Sequence, residues 1–183
     1  MRDSLKEMLG NVMVIGIPGK KLDNETCELI KKGVGGIILF SKNMESPGQT
    51  RALISEIQEI GGELPLFIAV DQEGGMTAQV YFSKTISPGN MAIGATGNEE
   101  FARQASRLSG IELRDLGFNT VLAPVLDINN NPDNPVIGTR SFGGDPALVS
   151  RLGIAAIRGY RDSGILPCAK HFPGHGDTSV DSH

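Results

Sequence analysis

Cysteine is scarce: Cys27 and Cys168 are the only two in 183 residues. They are too few and too far apart for a disulfide scaffold, so a reducing compartment is the expectation. An excess of basic charge is also missing. Seventeen Lys and Arg stand against 21 Asp and Glu, a net charge of -4, which argues against a nucleic-acid-binding or anionic-membrane surface. No run approaches the roughly 18 consecutive apolar residues of a membrane span. Asp3, Lys6, Glu7 and Asn11 interrupt any signal-type apolar core ahead of residues 12–17. Repeats, low-complexity tracts and linker-like stretches are lacking as well, so no domain boundary is marked. The expectation is a single cytoplasmic domain over residues 1–183 whose partner is a small molecule rather than a nucleic acid or a membrane, its oligomeric state left open.

What the chain does have is glycine, 24 of 183 residues, against an average of about 7%. It also has five short apolar runs, at residues 12–17, 36–40, 66–70, 120–126 and 166–169. They are rich in β-branched residues and mostly continuous rather than alternating, as strands buried on both faces of a parallel sheet are. Helical patterns lie between them. Residues 24–32 have a capping-type start, and Ala52, Leu53, Ile57 and Ile60 recur at helical spacing after Ser46-Pro47. Residues 99–116 place Phe101, Ala105, Leu108 and Ile111 on one face. A last helix is predicted after Asp145-Pro146, with Leu148, Leu152, Ala155 and Ala156 facing inward and Gly164 as its stop.

Strand and helix thus alternate, which implies βα units and a parallel α/β fold, either doubly wound or a (β/α)8 TIM-type barrel. Polar, Gly-rich segments follow nearly every run: Ser41-Lys42-Asn43, Asp71-Gln72-Glu73-Gly74-Gly75, Asp127-Ile128-Asn129-Asn130 and 170–176. A barrel gathers all such segments on one face, whereas a doubly wound sheet uses only its switch point. The barrel is therefore favoured, with about five of its βα units present, since eight typically take about 250 residues.

All three histidines fall between residues 171 and 183. Three arrangements fit that spacing. Asp181 can hold a tautomer of His183, making it a general acid/base. Alternatively His171, His175 and His183 ligate a metal, although Pro173 and Gly174 break the helix that His-x-x-x-His would need. The plainer reading is a loop whose histidines serve structural hydrogen bonds.

The stretch Lys170-His171-Phe172-Pro173-Gly174-His175-Gly176-Asp177-Thr178, followed by Asp181-Ser182-His183, resembles the signature of family 3 glycoside hydrolases in their β-N-acetylhexosaminidase branch. Val70 to Gly75, Leu122 to Asp127 and Gly138-Thr139-Arg140-Ser141-Phe142-Gly143 resemble further motifs of that family, in the same order. The resemblance covers essentially the whole chain and identifies it as the N-terminal part of the family's barrel domain. It implies a retaining enzyme without a cofactor or metal, which removes terminal non-reducing β-linked N-acetylglucosamine from peptidoglycan or chitin fragments through a covalent glycosyl-enzyme. It further implies His183 as acid/base assisted by Asp181, and Asp71, Arg140, Lys170 and His171 as sugar-binding residues. Glu73 has no catalytic role in the family and reads as structural.

Two departures from the family stand out. Gln79 occupies the position of a sugar-contacting arginine, keeping hydrogen-bonding capacity but losing the charge and the five-donor fork. The nucleophilic aspartate belongs to a later motif that these 183 residues do not contain; Asp127, Asp133 and Asp177 do not match it. The polypeptide by itself is therefore expected to be inactive or nearly so. The alternatives are a noncatalytic sugar-binding module and a metal-dependent hydrolase built on the three histidines.

Overall fold

The computed structural model describes residues 2–85 and 87–181. Helix α1 (Arg2–Asn11) leads into strand β1 (Val14–Gly16), followed by α2 (Asn24–Lys31), β2 (Gly36–Leu39), α3 (Pro47–Gly61) and β3 (Phe67–Val70). A hairpin of β4 (Gln72–Gly74) and β5 (Thr77–Ala78) follows, then α4 (Asn90–Thr96), α5 (Glu99–Leu116), β6 (Thr120–Val121), α6 (Pro146–Asp162) and β7 (Leu166–Pro167). All five apolar runs contain a strand of one parallel sheet, and the strands lie in the order β1-β2-β3-β6-β7. That order follows the chain without a reversal, so the described strands have no topological switch point. It is the order of a partial TIM-type barrel rather than of a doubly wound sheet.

The helix boundaries follow from their caps. The Asp23 carboxylate accepts from the Thr26 amide at 2.8 Å and the Ser46 hydroxyl from the Gln49 amide at 3.2 Å. Asp145 accepts from the amides of Ala147 and Leu148, and proline stands at the first position of both α3 and α6, where its missing N–H costs nothing. The run at 120–126 is a strand only at its start. Pro124 has no amide to donate, so regular pairing ends and resumes as an isolated bridge between Val125 and Lys170.

Register explains the core. Ile37 pairs with Ile68, and Leu39 with Val70, which in turn pairs with Val121. These five fully buried side chains form two adjacent rows on one face of the sheet and cluster with residues of α2, α3 and α5. The opposite face carries Val14, Phe67 and Leu166, each about half exposed.

Helix α5 differs from the sequence expectation. Phe101 and Leu108 are on its solvent side, at 51% and 47% exposure, whereas Ala102, Ser106, Ser109, Gly110 and Leu113 are buried. The reason is the close approach of α6. A Cβ on Gly159 would lie 2.2 Å from the Arg103 carbonyl oxygen, so only small residues fit between the two helices and the larger apolar ones are turned outward.

This contact generates a prediction with an unusual sign. Alanine is a better helix former than glycine by about 1 kcal/mol, yet Gly159→Ala forces backbone against backbone and is expected to destabilise the protein by about 1–3 kcal/mol. Gly48→Ala in α3, where an added methyl meets nothing within 4 Å, is the control and leaves stability unchanged or slightly raised. Urea midpoints of the two variants check the difference.

Candidate active site

Because the strands are parallel, the segments following them emerge at one end of the sheet. A buried asparagine stitches the first two. Asn43 donates to the carbonyls of Ile17 (3.1 Å) and Gly19 (2.9 Å) and accepts from the Phe40 amide at 2.9 Å, so the β1 and β2 loops form one rim.

The charged centre sits beside it. Asp71 immediately follows β3, Glu73 lies in β4, Arg140 in a 3-10 turn (Gly138–Arg140), and Lys170 just after β7. Arg140 grips Glu73 with two parallel hydrogen bonds, Nε to Oε2 and Nη2 to Oε1, both 2.8 Å. Lys170 Nζ lies 2.5 Å from the same Glu73 Oε1 and 2.6 Å from Asp71 Oδ1. The Glu73 side chain is only 2% exposed, against 18% for Arg140 and 15% for Lys170. Burial alone would raise the Glu73 carboxyl, but hydrogen bonds from Arg140 and Lys170 outweigh it and hold the group below the ordinary glutamate value of 4.5. At neutral pH Glu73 is therefore an anion held by two cations rather than a proton donor. The same pairing raises the Arg140 guanidinium.

A second buried carboxylate holds the histidine-bearing loop. Asp127, whose side chain is fully buried, accepts from the backbone amides of His171 (3.2 Å) and His175 (2.6 Å) and lies 2.5 Å from His171 Nδ1. His171 Nε2 is 3.3 Å from Arg140 Nη2, so the imidazole joins the two carboxylate centres. Asn134 donates to the His175 carbonyl at 2.7 Å, and Asn131 to those of Asp177 and Thr178. Gly176 lies so close to the strand-end backbone that a Cβ would be 1.8 Å from the Ile128 carbonyl oxygen. A groove of about 320 Å³ opens along Asp127, Lys170 and His171, within the usual range for small-molecule sites.

Of the residues predicted from sequence, Asp71, Arg140, Lys170 and His171 converge here. Gln79 lies on the rim. Its amide donates to the Asp71 carbonyl at 3.2 Å, and its Oε1 accepts from the Ser41 amide at 2.9 Å. Asp181 is at the exposed end of the histidine loop, and His183 lies outside the described residues. Sequence reasoning gives Asp127 no role beyond its motif. The available signal is an acidic residue directly after an apolar run, the position that Asp71 also holds. Among the described residues no group of three or more His, Cys, Asp or Glu is arranged to hold a metal ion, and no helix is long and apolar enough to cross a membrane.

Beneath the hairpin is a cavity of about 200 Å³ bordered by Glu73, Asn90, Ser106, Ser109 and Tyr160. The Tyr160 hydroxyl donates to the Gln72 carbonyl at 3.2 Å, and burial pushes its phenol up to about 12. Behind it, Glu112 accepts from the hydroxyls of Ser83 and Thr85, fastening the segment after the hairpin to α5. The hairpin that presents Glu73 is thus supported from two helices.

Sequentially ordered parallel strands with a polar, charge-balanced site at their carboxyl ends define a barrel-type α/β domain of the kind that carries its site on strand-end loops. The model of the glycosyl hydrolase family 3 N-terminal domain matches residues 4–183, and the chain belongs to that family. It is 45% identical over 171 residues to β-hexosaminidase A of Pseudoalteromonas piscicida, covering 88% of this chain and 29% of that protein. It is 39% identical to a β-hexosaminidase of Thiobacillus denitrificans, covering 93% and 49%. A family 3 β-N-acetylglucosaminidase from Paenibacillus sp. superposes with a TM-score of 0.94 at 48% identity, covering 97% of this chain and 35% of that one. NagZ from Neisseria gonorrhoeae in complex with N-trifluoroacetyl-D-glucosamine gives 0.86 at 34% identity, covering 93% and 52%. The chain therefore spans from about three-tenths to about half of these proteins' length.

The buried Glu73 pair sets an acid limit on stability. Between the ordinary value of 4.5 and the lower folded one, the unfolded chain binds a proton that the folded chain does not. The stabilisation is thus complete above that window and is lost as pH falls through it. Glu73→Gln is expected to lose about 3–5 kcal/mol at neutral pH, since it leaves the part-buried Arg140 without its carboxylate and Lys170 with Asp71 alone, and to lose less on further acidification than the parent does. Thermal melts of both proteins from neutral pH down through the carboxylate range check this; parallel acid limbs would contradict it.

Proposed function

We propose that this chain is the sugar-binding and acid/base-bearing part of a retaining glycoside hydrolase that releases terminal non-reducing β-linked N-acetylglucosamine, from peptidoglycan or chitin fragments. The observation that supports it best is the convergence of Asp71, Arg140, Lys170 and His171 at the carboxyl end of the sheet in a family 3 chain whose relatives include β-hexosaminidases. Asp71 gives one oxygen to Lys170 and keeps the other for a pair of adjacent sugar hydroxyls, which a carboxylate accepts well. Lys170 and Arg140 retain N–H groups for hydroxyl oxygens after serving Glu73. Gln79 has its oxygen engaged by Ser41, so its Nε2 is the end that meets a ligand, as a neutral donor.

In this reading His183, tuned by Asp181, protonates the departing glycosidic oxygen and then takes a proton from the incoming water. An imidazole with an ordinary value of about 6.5 can do both at neutral pH. The carboxylate that attacks the anomeric carbon has no counterpart in the 183 residues, so this polypeptide alone binds the sugar without turning it over. Two free thiols suit a cytoplasmic setting.

Calorimetry with N-acetylglucosamine tests the binding. The 183-residue chain is expected to bind it, and Asp71→Ala to weaken binding by about tenfold or more, the loss of hydrogen bonds to a charged group. A chromogenic N-acetyl-β-glucosaminide tests the chemistry, with turnover no faster than the uncatalysed reaction expected. Absence of binding would refute the sugar site. Robust turnover abolished by His183→Ala would refute the inactivity.

A further inference from the structure

Asp127 has no part in the sugar-binding or acid/base reading, and its surroundings are specific. Its two oxygens are met by three nitrogens: Oδ1 accepts from the His175 amide at 2.6 Å, and Oδ2 accepts from the His171 amide at 3.2 Å and lies 2.5 Å from the His171 ring Nδ1. Its own carbonyl accepts from the Ser141 hydroxyl at 2.6 Å, fixing the carboxylate's base. An ionised carboxylate can only accept, and a guanidinium can only donate. His171 stands between one of each, with Nδ1 toward Asp127 and Nε2 toward Arg140 Nη2 at 3.3 Å. The two neighbours therefore determine the ring: Nδ1 carries the proton and Nε2 keeps its lone pair.

We infer that Asp127 is a positioning residue, which sets the tautomer of His171 and, by clamping the amides of both His171 and His175, fixes the turn that carries the substrate-facing part of the histidine loop. A carboxylate is required for this, and an amide of the same shape cannot replace it. The Asp127→Asn side chain offers one acceptor and one donor. With its oxygen toward His171, its NH2 opposes the His175 amide and that end of the turn is released. With its oxygen toward His175, its NH2 faces Nδ1, the ring proton moves to Nε2, and two donors meet at Arg140. Either way one of the two functions fails. The inference rests on the sugar-binding reading only in its affinity arm; the ring and loop are read without any sugar.

The experiment is long-range proton–nitrogen correlation NMR on the histidine-labelled chain at neutral pH, with amide exchange on the same sample. In the parent, His171 is expected as the Nδ1–H tautomer with a protected His175 amide. An Nε2–H or doubly protonated ring would overturn the inference with no variant needed. In Asp127→Asn, either the tautomer reverses or protection at His175 is lost, and N-acetylglucosamine, titrated by NMR, binds about tenfold more weakly, one charged hydrogen bond's worth. An Asn variant that keeps tautomer, protection and affinity together would overturn it. Asp127→Glu, which retains the anion, restores the parent tautomer. If the parent binds no N-acetylglucosamine, the functional reading fails while the ring and exchange data still decide this one.

Discussion

The buried carboxylate of Glu73 is the point through which separate parts of the chain act as one site. It is fixed in the hairpin after β3, grips Arg140 from the long segment after β6, and shares Lys170 from the end of β7 with Asp71. Removing water from one anion is costly unless cations replace the lost solvation, and two do. The consequence is geometric as well as energetic. Arg140 and Lys170, long side chains that would otherwise sample many rotamers, are held at fixed positions with N–H groups left over. The hydrogen bond from Arg140 to His171 then passes that order to the imidazole, and Asp127 passes it on to the backbone of the histidine loop.

The division between what can be read in the sequence and what cannot follows physical lines. Continuous apolar runs betray parallel strands because both faces are covered, and all five strands of the main sheet lie within those runs. Helices α3 and α6 announce their starts through Ser46-Pro47 and Asp145-Pro146. The β4–β5 hairpin has no such mark. Gln72, Glu73 and Gly74 neither alternate nor cluster as apolar residues, and the cations that meet Glu73 come from distant segments. Helix α4 is short, and α1 precedes the first run in a segment whose sequence speaks only to the question of a leader. The inward face of α5 is concealed for another reason: close helix contact selects Ser106, Ser109 and Gly110 over Phe101 and Leu108, inverting the usual pattern of burial.

Within the site, Asp71, Arg140, Lys170 and His171 are legible because they belong to recognisable motifs, and their proximity is a property of the fold. Asp127 is not. Two of its three donors are main-chain amides, and an amide in a loop leaves no trace in residue identity. Gly176 is similar. Its meaning is steric, set by the Ile128 carbonyl beneath it, and a glycine in a glycine-rich stretch gives no sign of that. The structure thus adds the supports to a list of contacting groups: Asp127 below the histidine loop, Glu112 and Tyr160 behind the hairpin, and Asn43 under the rim.

The uninterrupted strand order has a temporal side. Because neighbours in the sheet are neighbours in the chain, a growing polypeptide can add each βα unit to the edge of the last. Of the site's charged groups, Asp71 and Glu73 leave the ribosome first, then Asp127 and Arg140, and after them Lys170 and His171. A nascent chain that has reached β3 and the hairpin carries a carboxylate destined for burial without either of its counter-charges. Water must keep Glu73 solvated until Arg140 and Lys170 arrive, so this charged centre dries later than strands β1 to β3 beneath it can form.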